Sequence, residues 1–91
     1  MSLSVGNKVF LSPKGEKGKT LFKHIECGIG IGKMFKQGNV YVWQITAVEQ
    51  TEVTTYTAVP LGINGLDLSK HARKIVEDHD PNFQLKKLIG A

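Results

Sequence analysis

Cysteine is almost absent: Cys27 is the only one in 91 residues. One thiol cannot close an intramolecular disulfide, so a disulfide-stapled secreted scaffold is excluded. A reducing, cytoplasmic compartment is the expectation. Long apolar runs are also missing. The uncharged run from Gln37 to Val48 carries Gln, Asn, Thr and Gly. It falls short of the roughly 20 apolar residues that cross a bilayer. The leading Met1-Ser2-Leu3-Ser4-Val5 lacks the basic-then-apolar pattern of a secretory signal, and Met1-Ser2-Leu3 is assigned no structural weight. A soluble protein without a membrane partner is therefore expected. Acidic residues are scarce as well. Eight Asp and Glu face twelve Lys and Arg, a formal net charge of +4.

What is present fits one small folded unit. The apolar share is 41% and the charged share 22%, too apolar for a disordered chain. Residues 1–91 are read as a single domain, with strands over about 8–59 and a helical segment over about 67–90. A chain this short buries only roughly 60% of its unfolded surface, so self-association is a natural way to add stability.

The positive charge is uneven. Lys8, Lys14, Lys17, Lys19, Lys23, Lys33 and Lys36 face only Glu16 and Glu26 in the same stretch, whereas 37–69 has no base at all. Ser12 to Lys19 contains Pro13, Gly15 and Gly18 and reads as a polar loop. A lysine-rich loop is either a solvated surface or a contact for an anionic partner.

Residues 9–11 read as a first strand and Thr20 to Glu26 as a second. Gly28, Gly30 and Gly32 recur at every second position, which on a strand puts all three on one face and permits close approach or sharp curvature. Val40 to Val59 is the clearest hairpin, rich in β-branched and aromatic residues and broken by Glu49 to Glu52. The threonines of the return strand make both its faces polar, which hints at a sheet edge open to a second copy. Beyond Pro60 the period lengthens. Leu68, Ala72, Ile75, Val76 and His79 share one face at helical spacing, with Asp67 or Ser69 as N-cap. Asp80-Pro81 would start a second short helix carrying Leu85, Leu88 and Ile89. The expected fold is α+β: a curved antiparallel sheet or small partly closed barrel of about four to five strands, then a C-terminal helix and a short terminal helix.

Catalytic patterns do not assemble. Gly28 to Lys33 lacks the Ser or Thr that a phosphate loop needs after its lysine, and its glycines miss the dinucleotide spacing. His24 and Cys27, three apart on a strand, point to opposite faces. His71 and His79 lie about 12 Å apart on a helix, too far for one ion. His79 would rest at the core edge, and Cys27 reads as a small buried residue. No catalytic residue, cofactor or metal site is assigned. Tyr41, Trp43 and Tyr56 are either the core under the helix or a stacking platform for bases; the core reading is preferred.

The leading expectation is a non-enzymatic binding or assembly module that contacts nucleic acid or another anionic partner. Lys14, Lys17, Lys19, Lys23, Lys33 and Lys36 would reach phosphates. The alternative is a structural or accessory subunit that acts by homo-oligomerisation or protein docking. An enzyme remains only if a site forms between subunits.

Overall fold

A computed structural model describes residues 3–88. The chain opens with β1 (Lys8–Pro13) and passes into α1 (Gly15–Ile29). A 3-10 turn (Ile31–Lys33) leads to a small hairpin, β2 (Lys36–Gln37) and β3 (Val40–Tyr41). Next come β4 (Trp43–Gln50) and β5 (Thr54–Pro60). Two 3-10 turns, Ile63–Gly65 and Ser69–His71, precede β6 (Arg73–Val76), and β7 (Phe83–Lys87) follows. The main sheet has the order β6-β5-β4-β1-β7 and is antiparallel throughout. Its two outer strands, β6 and β7, come within 8 Å of each other without pairing, so the sheet curls and stays open.

One face of the curl holds the core. Val9 and Leu11 of β1, Trp43 and Ile45 of β4, Tyr56 and Ala58 of β5, Ile75 of β6, and Phe83 and Leu85 of β7 are all buried and form one cluster. They alternate along each strand because side chains on a strand change face at every residue. The other face carries Lys8, Ser12, Gln44, Thr55, Thr57, Lys74, Gln84 and Lys86, partly or fully exposed. Register matches the two sets: Leu11 lies opposite Leu85, Ile45 opposite Ala58 and Tyr56 opposite Ile75. The β4–β5 register shifts between Ile45 and Ala47, which skips Thr46 and lets both halves of β4 keep a core residue.

Several expectations are corrected. The helix is N-terminal, at 15–29, and not over 67–80. The supposed loop at 12–19 is the end of β1 and the first turn of α1; the supposed strand at 20–26 is the middle of that helix; and the alternating glycines lie at its end and in the next turn. Leu21, Phe22, Ile25 and Ile29 explain this, since their spacing lays one apolar stripe along a helix, and all four pack on the core. Gly18 is essential to the fit. A Cβ there would sit 2.6 Å from the Asn82 carbonyl oxygen, so only glycine lets α1 approach the loop before β7.

The C-terminal half reverses the expectation in the other direction. The turn Ser69–His71 is short, and Arg73–Val76 is a strand paired with β5. Of the five residues read as one helical face, Leu68 and Ile75 are buried while Ala72 and His79 are exposed. Asp78 adopts a positive φ of 62°, which rules out a helix through it. The capping chemistry is present but serves other structures. The Asp67 carboxylate accepts the Ser69 N–H at 2.9 Å to start a 3-10 turn. The Asp80 carboxylate accepts the Asn82 and Phe83 N–H groups at 2.8 and 2.9 Å and launches β7, not a short helix. Ile89, assigned to that helix, lies outside the described residues.

Two further corrections concern position. The threonine-rich β5 is an inner strand, flanked by β4 and β6, so it offers no open edge. Leu3, assigned no structural weight, is buried in the core cluster and its N–H faces the Tyr56 hydroxyl at 3.4 Å.

Candidate nucleic-acid interface

The six lysines selected from the sequence do not form one patch. All are exposed; Lys17 and Lys19, expected on a loop, and Lys23, expected on a strand, ride on α1, with Lys14 just before it, Lys33 in the following turn and Lys36 on β2. Lys19 and Lys23 stand on one flank of α1, bordering a shallow recess that also involves Phe22 and Glu26. Lys36, on β2, holds its ammonium 5.5 Å from the centre of the Tyr41 ring, a cation–π contact. Lys36 also acts on Glu26, so it lies toward the same flank of the helix. Lys17 lies along a different strip of α1 with Leu21 and His24. The aliphatic stem of Lys33 covers Gly30 in the turn after the helix. Lys14 is turned away altogether: its ammonium donates to the Asp80 carbonyl oxygen at 2.9 Å.

Beside Lys19, Lys23 and Lys36 runs a groove of about 220 Å³ between α1, β1 and the β2–β3 hairpin. Phe10, Phe22 and Tyr41 line it, together with Glu26 and Asn39. The hairpin closes this groove because backbone bonds lock its base: Val42 N–H to the Phe35 carbonyl at 3.0 Å, and Phe35 N–H to the Leu61 carbonyl at 2.8 Å. Phe35, just before β2, is 43% exposed.

Glu26 is the one acid in the groove. Burial raises its pKa above the ordinary glutamate range, and the nearby Lys36 charge opposes that rise. At the margin of α1, Lys19 reaches Glu16 at 3.8 Å; the pair is exposed and contributes little.

The other candidates resolve plainly. Trp43 is fully buried and Tyr56 is 3% exposed, so both belong to the core, while Tyr41 is half-buried at the groove. Cys27 is exposed rather than buried, and on the helix it shares a face with His24. His79 is exposed and lies in a turn, not at the core edge. Among the described residues, no three His, Cys, Asp or Glu side chains are grouped closely enough to hold a metal ion. Nor is any described helix long and apolar enough to cross a membrane.

Sequence reading missed Phe10, Phe22 and Phe35. A signal for Phe35 was visible in Lys33-Met34-Phe35-Lys36, where a ring sits between two ammonium groups. Phe10 was read on a strand, as β1 has it, but its neighbours in the groove lie in other elements; Phe22 was given the wrong period by the strand reading of 20–26. No protein-family model, no curated protein and no solved structure matches this chain.

Proposed function

We propose that this domain is a non-enzymatic binding module whose partner is single-stranded nucleic acid, held along the groove between α1 and the β2–β3 hairpin. The observation that carries the reading is the juxtaposition of Phe10, Phe22 and Tyr41 with a rim of Lys19, Lys23 and Lys36. A single strand presents unstacked bases and closely spaced phosphates. Aromatic rings take the bases at roughly 1–3 kcal/mol each, and lysines take the phosphates. A duplex hides its bases, so it would use the lysines alone.

The electrostatic part is non-specific. Each neutralised phosphate releases counterions, and log K falls with log salt by about 0.7 per contact on a single strand. Contacts from lysines to phosphates carry no sequence information, so affinity independent of sequence is the expectation.

The test is fluorescence anisotropy with labelled single- and double-stranded oligonucleotides at low and moderate salt. The expected result is tighter binding of the single strand, weakening steeply with salt. Changing Lys19, Lys23 and Lys36 together to Gln should shallow the salt slope by about 2. Tyr41→Leu should lower affinity by roughly 5- to 100-fold without changing the slope. Absence of binding at low salt, or full affinity in the triple variant, overturns the reading.

A further inference from the structure

The gap between the open sheet edges is a separate concave feature, and the nucleic-acid reading leaves it unused. It encloses about 300 Å³ between β6 and β7. Its floor is the core itself: Tyr56, Ile75, Phe83 and Leu85. Closed small sheets have no such opening; here it exists because β6 pairs only with β5 and β7 only with β1.

The two lips differ in charge. On the β7 side stands Lys14, placed there by its own N–H bond to the Asn82 carbonyl at 2.8 Å and oriented by its ammonium bond to Asp80. On the β6 side stand Glu77 and Asp78, fixed by the Glu77 N–H bond to the Thr54 carbonyl at 2.8 Å. The Tyr56 hydroxyl donates to one carboxylate oxygen of Glu77, which pins that carboxylate at the mouth. Among the described residues neither Glu77 nor Asp78 has a cation within ion-pair distance. Burial, and then the Glu77 bond, raise the Tyr56 pKa, so the phenol stays a donor.

We propose that this cleft binds a small zwitterion with an apolar body, of the free α-amino acid class. Its ammonium faces Glu77, its carboxylate faces Lys14, and its side chain rests on Tyr56, Phe83 and Leu85. Small-ligand sites share this build, an apolar pocket with a few convergent polar groups. A cavity of about 300 Å³ lies at the lower end of their size range. A simple cation would leave Lys14 opposed, and a simple anion would meet two carboxylates. Only a ligand carrying both charges suits both lips.

The experiment is a heteronuclear NMR titration of the full chain with free leucine. The controls each remove one feature: leucinamide lacks the carboxylate, 4-methylpentanoate lacks the ammonium, and glycine lacks the apolar body. Leucine is expected to shift the amides of Tyr56, Glu77, Gln84 and Leu85 to saturation, with each control binding at least roughly 10-fold more weakly, the share of one charged contact or of the buried side chain. Glu77→Gln keeps an acceptor for Tyr56 yet should weaken leucine, while 4-methylpentanoate, relieved of one opposing carboxylate, should bind no more weakly than before. Lys14→Met should weaken leucine, while leucinamide, relieved of an opposing ammonium, should bind no more weakly than before. Shifts that are equal for glycine and leucine, shifts elsewhere only, or no saturable shift with any of the four overturn the proposal. Because the groove by α1 lies elsewhere, oligonucleotide binding can fail while this titration succeeds, and the reverse.

Discussion

Gly18 and Gly28 sit in the same helix and differ in what a methyl group would meet. At Gly18 a Cβ would fall 2.6 Å from a backbone oxygen of another segment, which cannot move aside cheaply; at Gly28 nothing lies within 4 Å. Gly18→Ala should therefore destabilise by about 1–3 kcal/mol through overpacking. Gly28→Ala should stabilise by about 0.5–1 kcal/mol, since alanine restricts the unfolded chain and favours helix. Urea unfolding of both variants checks the pair. Glu26 offers a second residue-scale test. Its folded-state pKa is raised, chiefly by burial, so its contribution to stability is complete below its unfolded pKa and declines as pH rises through the folded value. Glu26→Gln stays neutral throughout. The variant should match the parent at low pH and gain on it across the weakly acidic range, and at neutral pH it should bind single strands more tightly. A constant stability difference across that range would show that the carboxylate is solvated.

At the scale of elements, the strands differ in how many neighbours hold them. β1, β4 and β5 each pair on two sides, while β6 and β7 pair on one. Backbone amides bonded across a ladder exchange only when the ladder opens. Hydrogen exchange should be slowest in β4 and β5, and along β6 and β7 the amides facing away from their single partner should exchange quickly. Protection of those outward amides at high protein concentration, lost on dilution, would reveal a second copy on the edge. The hairpin Trp43–Pro60 was legible because β-branched and aromatic residues crowd both arms and a polar turn separates them. α1 was not legible, because three glycines and alternating charge masked a stripe of only four apolar residues. The β6 segment misled for the opposite reason. Leu68, Ile75 and Val76 fit helical spacing by coincidence, and pairing with β5 outweighed that weak local preference.

On the whole-molecule scale, the open curl decides where anything can bind. The helix inserted after β1 covers part of the core face and builds one wall of the aromatic groove. The unclosed seam between β6 and β7 leaves the other cleft. Of the lysines expected to act together, Lys19, Lys23 and Lys36 come to one groove, and Lys14 is redirected to the seam. Charge content was readable from composition, but its division between two surfaces was not, since Lys14 and Lys17 are three residues apart and point to different parts of the molecule. A duplicate test follows from that division: Lys14→Gln should leave the oligonucleotide salt slope intact, whereas Lys36→Gln should shallow it by about 0.7.

The amino-acid sequence by itself determined the small size of the core, the basic surface, the lone thiol and the central hairpin. These depend on composition or on groups within a few residues of one another. Tertiary structure alone decided which segment became the helix, that the threonine-rich strand is internal, that Leu3 belongs to the core and that the groove by α1 and the seam between β6 and β7 exist. Those outcomes depend on partners outside the local segment, such as Asn82 against Gly18, Tyr56 against Leu3, Phe83 against Phe22 and β6 against β5. Local preference is worth tenths of a kcal/mol per residue, and burial against a distant partner is worth several times more, so the distant partner prevails.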